Sequence, residues 1–306
     1  MKPLFYTTFA LVAFAFNSIL CRLALRGDEA DAAGFTALRL AAGAVALVAI
    51  SWSLNRGRNL TGSEGVLDVS SAHAKNTLPT GRVSALGSWL SSLFLFAYAV
   101  CFSFAYLNLT AATGALILFG SVQMSMIALA IGKGERPTMF EWCGLVVAVA
   151  GLVYLVLPGL EAPPLTSSLL MAAAGMAWAI YSHRGKGTTD AIADTTGNFV
   201  RTLPFAAILA VVFIPNLNLT PRGFILAIIS GAVTSGVGYV FWYAALKYHS
   251  STRAAVLQLS VPVIAAVIAI VWLGESMTTT LVVASALILG GIGLTIAGKK
   301  AEARTE

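Results

Sequence analysis

The sequence predicts an all-α polytopic membrane protein, ten transmembrane helices arranged as two inverted five-helix repeats. Three observations carry that prediction. Only 10 % of the 306 residues are charged while 58 % are apolar. Apolar runs of spanning length recur along the whole chain. The two halves align on one another with an odd number of runs in each.

Soluble domains carry roughly 25 % charged residues because water must wet their surface. A mean hydropathy of +0.84 leaves too little polar surface for that, so the partner of most of this surface is the lipid bilayer. The net charge of +6 comes from 19 Lys and Arg against 13 Asp and Glu, scattered singly between apolar runs. No basic stripe of the kind that tracks a phosphate backbone exists, which excludes nucleic acid as a partner. Cys21, Cys101 and Cys143 fall in or beside apolar runs without CxxC or metal-ligand spacing. They read as small buried hydrophobes, and no metal or other cofactor is expected.

A spanning helix needs about 20 largely apolar residues to cross a hydrocarbon core of about 30 Å. The first run, 3–25, enters charged sequence without a small-residue cleavage pattern and reads as a retained helix; Asn17 lies midway along it. The second, 33–54, carries Arg39 about two turns in. Residues 55–84 are polar, Gly/Ser-rich and hold Arg56, Arg58, Lys75 and Arg82, so a solvent loop is expected there. The runs 85–107 and 111–132 bring Tyr98 and Gln123 into the bilayer, and 139–158 closes the first half. In the second half, 165–182 carries Trp178, and 196–214 carries Arg201. The run 223–246 carries Tyr239, with Gly231, Ser235, Gly238 and Trp242 spaced to share one helical face. The run 252–273 carries Gln258 and Pro262, and 279–298 ends the series.

Lys and Arg counted over alternate connections fix the expected orientation. With the N-terminus in the cytoplasm, fourteen basic residues lie on that side and three (Arg22, Arg26 and Arg222) on the other, with Arg39 and Arg201 inside runs. Both termini are therefore expected in the cytoplasm, as an even number of spans requires.

Sliding residues 10–49 forward by 162 positions aligns Arg22 with Arg184 and Arg39 with Arg201, and Ala15, Ala44 and Leu47 with Ala177, Ala206 and Leu209. A shift of 140 aligns Gly134-Glu135 with Gly274-Glu275, each pair closing an apolar run. The expected division is a first repeat over 1–158, including the loop 55–84, and a second over 159–306. Five spans per repeat force the second to enter the membrane upside down. Inverted repeats of this kind place a solute site near the midplane and exchange conformations to alternate access.

The two Gly-Glu pairs, followed by Arg136-Pro137-Thr138 and Ser276-Met277-Thr278, form with Leu38-Arg39 and Leu259-Ser260-Val261-Pro262 a loose motif set. On these the chain resembles the drug/metabolite transporter superfamily, in its ten-helix EamA-type branch. Val122 stands where the first-half counterpart of Pro262 would be, a departure from the pattern. The resemblance implies export of amino acids and related metabolites across a bacterial inner membrane, aromatic amino acids among them.

Polar groups within the bilayer are costly unless they face the bundle interior. Asn17, Gln123 and Gln258 are therefore candidate hydrogen-bond partners of a solute, interhelical bonding being the structural alternative. Tyr98, Trp178, Tyr239 and Trp242 lie deep and offer a flat apolar face with a polar edge, suited to an amphipathic or aromatic guest. Tyr106, Tyr181 and Tyr243 lie near helix ends and read as interfacial belt. Arg39, Arg201 and Pro262 are assigned gating or structural roles, and Glu135 and Glu275 structural ones at opposite membrane faces. None of the acidic residues or histidines falls mid-span. That favours facilitated or exchange transport of a neutral or zwitterionic small molecule over proton coupling. It also argues against the rival of a membrane-embedded enzyme, which needs a nucleophile, base or metal there. A channel-like passive pore stays open as the alternative. The oligomeric state is not legible.

Overall fold

A computed structural model describes residues 2–63, 87–132, 139–156, 162–185, 190–246, 248, 257–258 and 260–302. Most of 55–84, and Gly134 and Glu135, lie outside the described residues. Ten helices make up the described fold: α1 (Lys2–Arg26), α2 (Ala32–Ser63), α3 (Trp89–Ala105), α4 (Ala111–Gly132) and α5 (Met139–Val156), then α6 (Leu165–Arg184), α7 (Ala191–Val212), α8, α9 (Ser260–Leu273) and α10 (Thr279–Glu302). The rod α8 is continuous but changes its winding: Pro221–Ile228 is α-helical, Ile229–Val237 π-helical and Gly238–Leu246 α-helical again. Six of these helices are long and apolar enough to cross a membrane, and the others contain shorter apolar stretches such as Trp89–Ala105. The chain is an all-helical, multi-pass membrane protein.

α2 and α7 overrun the spans expected of them by the most. α2 continues from the apolar stretch Ala32–Leu54 to Ser63, with Arg56 lying 5.2 Å over the ring of Trp52 one turn earlier. Hydropathy marks where the bilayer ends, and a helix can go on into water. α7 starts at Ala191, because the Asp190 side chain accepts from the Ala193 N–H and caps it.

Polar contacts fix the direction of each rod. Arg22 at the end of α1 donates to the carbonyls of Tyr106 and Leu107 just beyond α3, and Arg26 to that of Leu273 at the end of α9. Asn108 bonds Ser167 at the start of α6, and Asp31 at the start of α2 pairs with Asn218 between α7 and α8. Thus α1, α3, α7 and α9 end, and α2, α4, α6 and α8 begin, at one end of the bundle, called here the Arg22 end. Along α5 and α10, Gly151 lies against Leu287 and Ile288, whereas Gly291 lies against Gly144 and Ala148, so these two are antiparallel as well. Each of α1–α5 therefore runs opposite to its counterpart in α6–α10.

The packing respects the same exchange. α5 lies on α10, α2 on α7 and α4 on α9, each against its own counterpart. The other large interfaces come in exchanged pairs: α1–α8 with α3–α6, α1–α9 with α4–α6, and α2–α8 with α3–α7. The closest crossing is between α2 and α8, where a Cβ on Gly231 would overlap the Arg39 carbonyl. Only glycine lets the two backbones approach so far.

The spacing of Gly231, Ser235, Gly238 and Trp242 was expected to give one shared face. It does not, because Ile229–Val237 is π-helical and the seven-residue step from Gly231 to Gly238, two full turns of an α-helix, falls short of two turns there. Gly231 faces α2, Ser235 faces the bundle interior, and Gly238 faces Ala13 and Phe14 of α1.

Candidate functional site

At mid-depth the bundle encloses a narrow cavity of about 30 Å³. Phe14, Asn17 and Ser18 of α1, Tyr98 and Phe102 of α3, and Leu118 and Phe119 of α4 form one side. Trp178 of α6, Thr234, Ser235 and Tyr239 of α8, and Gln258 just before α9 form the other. The six lining elements are three exchanged pairs, α1 with α6, α3 with α8 and α4 with α9. The cavity therefore sits where the two halves meet.

Its polar wall is a hydrogen-bonded chain. Ser230 Oγ and Thr234 Oγ1 donate to Asn17 Oδ1 at 2.6 and 3.2 Å, and Asn17 Nδ2 donates to Tyr98 Oη at 3.5 Å. Arg39 Nη2 donates to the same phenol oxygen at 3.3 Å. The π-helical winding puts Ser230, Thr234 and Ser235 within reach of one region, since it brings residues five apart into register.

Its aromatic wall is a run of touching rings. Trp178 stacks on Tyr239 with centroids 5.3 Å apart and planes 15° from parallel, and lies 5.0 Å from Tyr98 and 5.5 Å from Tyr181. Tyr181 and Tyr243 belong to a second, larger cavity of about 330 Å³ at the opposite end, lined also by Ser88, Ser91, Arg184, Asp194 and Asn198. This vestibule is separated from the central cavity by the Trp178–Tyr181 contact.

The two ends of the bundle differ. At the Arg22 end, Glu275 accepts the Ala111 N–H at 2.9 Å on both carboxylate oxygens and lies 3.8 Å from Arg22. The α1–α2 turn is tied to the α7–α8 turn by the Ala30–Leu219 bridge and the Glu29–Arg222 ion pair at 3.3 Å. At the Arg184 end, Arg184 bonds the hydroxyls of Ser91 and Ser88 across the vestibule. Among the described residues, the Arg22 end is closed by these bonds, and the Arg184 end holds the vestibule.

Of the residues singled out in the sequence, Asn17, Tyr98, Trp178, Tyr239 and Gln258 meet at the central cavity. Gln123 and Trp242 do not. Gln123 lies further along α4, and Trp242, 8 % exposed, packs edge-on against Phe14 at 5.9 Å. Arg39 is 2 % exposed behind Tyr98, whereas Arg201 bonds the Gly197 carbonyl of its own helix near the vestibule. Pro262 is buried near the start of the described part of α9. Glu275 lies at a membrane face, as expected, and Glu135 lies outside the described residues. The belt reading of Tyr106, Tyr181 and Tyr243 is corrected. Tyr106 and Tyr181 are buried, and Tyr181 and Tyr243 line the vestibule, so all three point into the bundle. Nearness to a helix end says nothing about which side of the helix faces lipid.

Sequence reasoning missed Phe14, Ser18, Phe102, Leu118, Phe119 and Thr234. The hydroxyl-rich stretch Ser230–Ser235, unusual within an apolar run, was the available signal for Thr234.

Comparison with known proteins accords with this geometry. Residues 165–297, from the start of α6 into α10, match the EamA-like transporter family. An uncharacterized protein of Pseudomonas aeruginosa is 40 % identical over 100 % of this chain and 98 % of its own length. The chain belongs to the EamA-like transporter family. A probable terminal-alkyne amino-acid exporter of Streptantibioticus cattleyicolor is 29 % identical over 68 % of this chain and 73 % of its own. An uncharacterized transporter of Archaeoglobus fulgidus is 27 % identical over 68 % and 75 %. A solved crystal structure, 17 % identical, superposes with a TM-score of 0.62 over 97 % of this chain and 98 % of that one, which establishes the shared fold. As a member of a transporter family, the EamA-like chain handles a small-molecule substrate in a lipid environment.

Proposed function

We propose that the chain exports small amphipathic metabolites, amino acids above all and aromatic ones among them, by alternating access across a bacterial inner membrane. The observation that carries this is the midplane cavity between oppositely running helices, walled by rings on one side and by the Asn17–Tyr98 hydrogen-bond chain on the other. A flat side chain suits the Trp178–Tyr239 wall, and a zwitterionic head suits the amides and hydroxyls opposite.

The repeats are read as 1–158 and 159–306, with the substrate held between them by Asn17, Tyr98, Trp178, Tyr239 and Gln258. The family match over 165–297 covers one five-helix unit and supports that division. At about 30 Å³ the cavity holds a water or two rather than a solute, so this is a contracted state. The solute enters from the vestibule as Trp178 and Tyr181 part. The fourteen basic residues counted on one side support a cytoplasmic vestibule and cytoplasmic termini. With no acid or histidine mid-span, the cycle is facilitated or exchange transport. The exporter of Streptantibioticus cattleyicolor, a partial relative, supports the amino-acid class.

The test is flux of labelled amino acids in proteoliposomes. Saturable uptake accelerated by unlabelled substrate on the far side is the expected result. Unsaturable flux without counter-transport identifies a pore, and no flux above empty vesicles for any amino acid removes the substrate class.

A further inference from the structure

Arg39 is out of place in a wall of rings. Its guanidinium lies 4.9 Å over Phe102 and 5.5 Å from the Tyr98 ring, both of which line the central cavity. A guanidinium carries five N–H donors. Here Nη2 is bonded to Tyr98 Oη, while Nη1 is buried with no hydrogen-bond partner. Among the described residues no carboxylate pairs with it, the ion pairs being Arg22–Glu275 and Arg222–Glu29 at the bundle end. A buried cation without an anion is costly, and more so at membrane depth.

The surrounding groups are also donors in search of an acceptor. Tyr98 Oη receives protons from both Arg39 and Asn17, which leaves its own O–H to donate outward. Ser235 Oγ, on the opposite wall, is buried without a partner. Arg201, the residue aligned with Arg39 in the second half, spends Nη1 on the Gly197 carbonyl instead. The buried guanidinium N–H without a partner therefore belongs to Arg39 and not to its aligned counterpart.

We infer that Arg39, with the Tyr98 hydroxyl, is the anchor for the carboxylate of the transported solute. The solute's anionic group completes a cation the fold leaves unpaired, and its ring or chain lies against Trp178 and Tyr239. The class is thus organic acids and amino acids with a free carboxylate, excluding amides, esters and amines. This deepens the export reading and uses its cavity.

The experiment measures competition for binding to the purified full-length protein in detergent by L-phenylalanine, L-phenylalaninamide and 3-phenylpropionate. In the wild type the amide is expected to bind about 10- to 100-fold more weakly than the amino acid, the range of one charge-assisted bond. R39Q removes that difference while ring recognition persists. R39K, which keeps the charge but not the planar fork, gives an intermediate ratio and guards against misfolding of R39Q. Equal binding of acid and amide by the wild type, or an unchanged ratio in both variants, overturns the assignment and leaves amino-acid export standing. Binding of 3-phenylpropionate without L-phenylalanine upholds the anchor and removes the amino-acid reading. Absence of binding by all three overturns the assignment and removes aromatic amino acids from the export reading.

Discussion

Glu275, two residues beyond the end of α9, closes over the N-terminus of α4 by accepting the Ala111 N–H on both oxygens at 2.9 Å. Gly274, at a φ of 63°, makes the turn that directs it there. The carboxylate also complements the positive end of the α4 dipole, and Arg22 stands 3.8 Å from it. The Gly-Glu pair read in the sequence as a helix stop is thus a clasp between two helices and the arginine of a third.

Loosening that clasp should open the Arg22 end. Cys21, adjacent to Arg22 and 0 % exposed, is a native reporter. With Cys101 and Cys143 changed to Ala, Cys21 should resist maleimide in the wild type and react readily in Glu275→Gln. The same variant should lose about 1–3 kcal/mol of stability, the worth of bonds to a charged acceptor. Unreactive Cys21 in the variant would argue against this end as a gate.

Trp178 and Trp242 should separate in kinetics. Trp178→Ala removes the ring stacked on Tyr239 and should raise the KM for aromatic amino acids about tenfold, or ~1.4 kcal/mol, with little change in maximal rate. Trp242→Ala empties a packing site beside Phe14 and should lower the Tm with KM near wild type. Transport kinetics and thermal melts on both variants decide it.

Asn17→Asp is nearly isosteric but should abolish amino-acid transport in a protein that still purifies as a folded monodisperse species. A fixed carboxylate there loses the donor to Tyr98 and sets a competing anion beside the phenol bonded to Arg39. Retained transport would count against this wall as the recognition surface.

The α2–α8 crossing should tolerate no side chain. Gly231→Leu would drive a branched group into the Arg39 backbone and should greatly reduce folded yield. Gly293→Leu, on α10 with open space where its Cβ would be, is the control and should express normally. Fluorescence-detected size exclusion reads both.

Hydropathy made the ten rods legible because the bilayer sets their length, and the odd span count made their inversion legible. The depth of Tyr98, Trp178 and Tyr239 made the aromatic wall legible too. What stayed hidden depended on which way a helix is turned. Trp242 packs against Phe14 instead of lining the cavity, and Gln123 lies one turn beyond Phe119 along α4. The divergence of Gly231 and Gly238 was hidden by the π-helical winding of Ile229–Val237, which the 3.6-residue period cannot anticipate. Arg39 and Arg201 look alike in the alignment, and only their neighbours distinguish an unpaired cation from one bonded to its own helix.

The barrier between vestibule and central cavity is built of rings: Tyr181 against Trp178, and Trp178 against Tyr239 and Tyr98. On the export reading, a molecule that passes takes the place of one of those faces. Planar cargo restores the lost stacking as it goes, so its admission costs little at each step. A branched aliphatic of equal size gives nothing back and is slowed on the way in. Discrimination of this kind acts on the speed of entry, and it would persist even if both solutes rested equally well once inside.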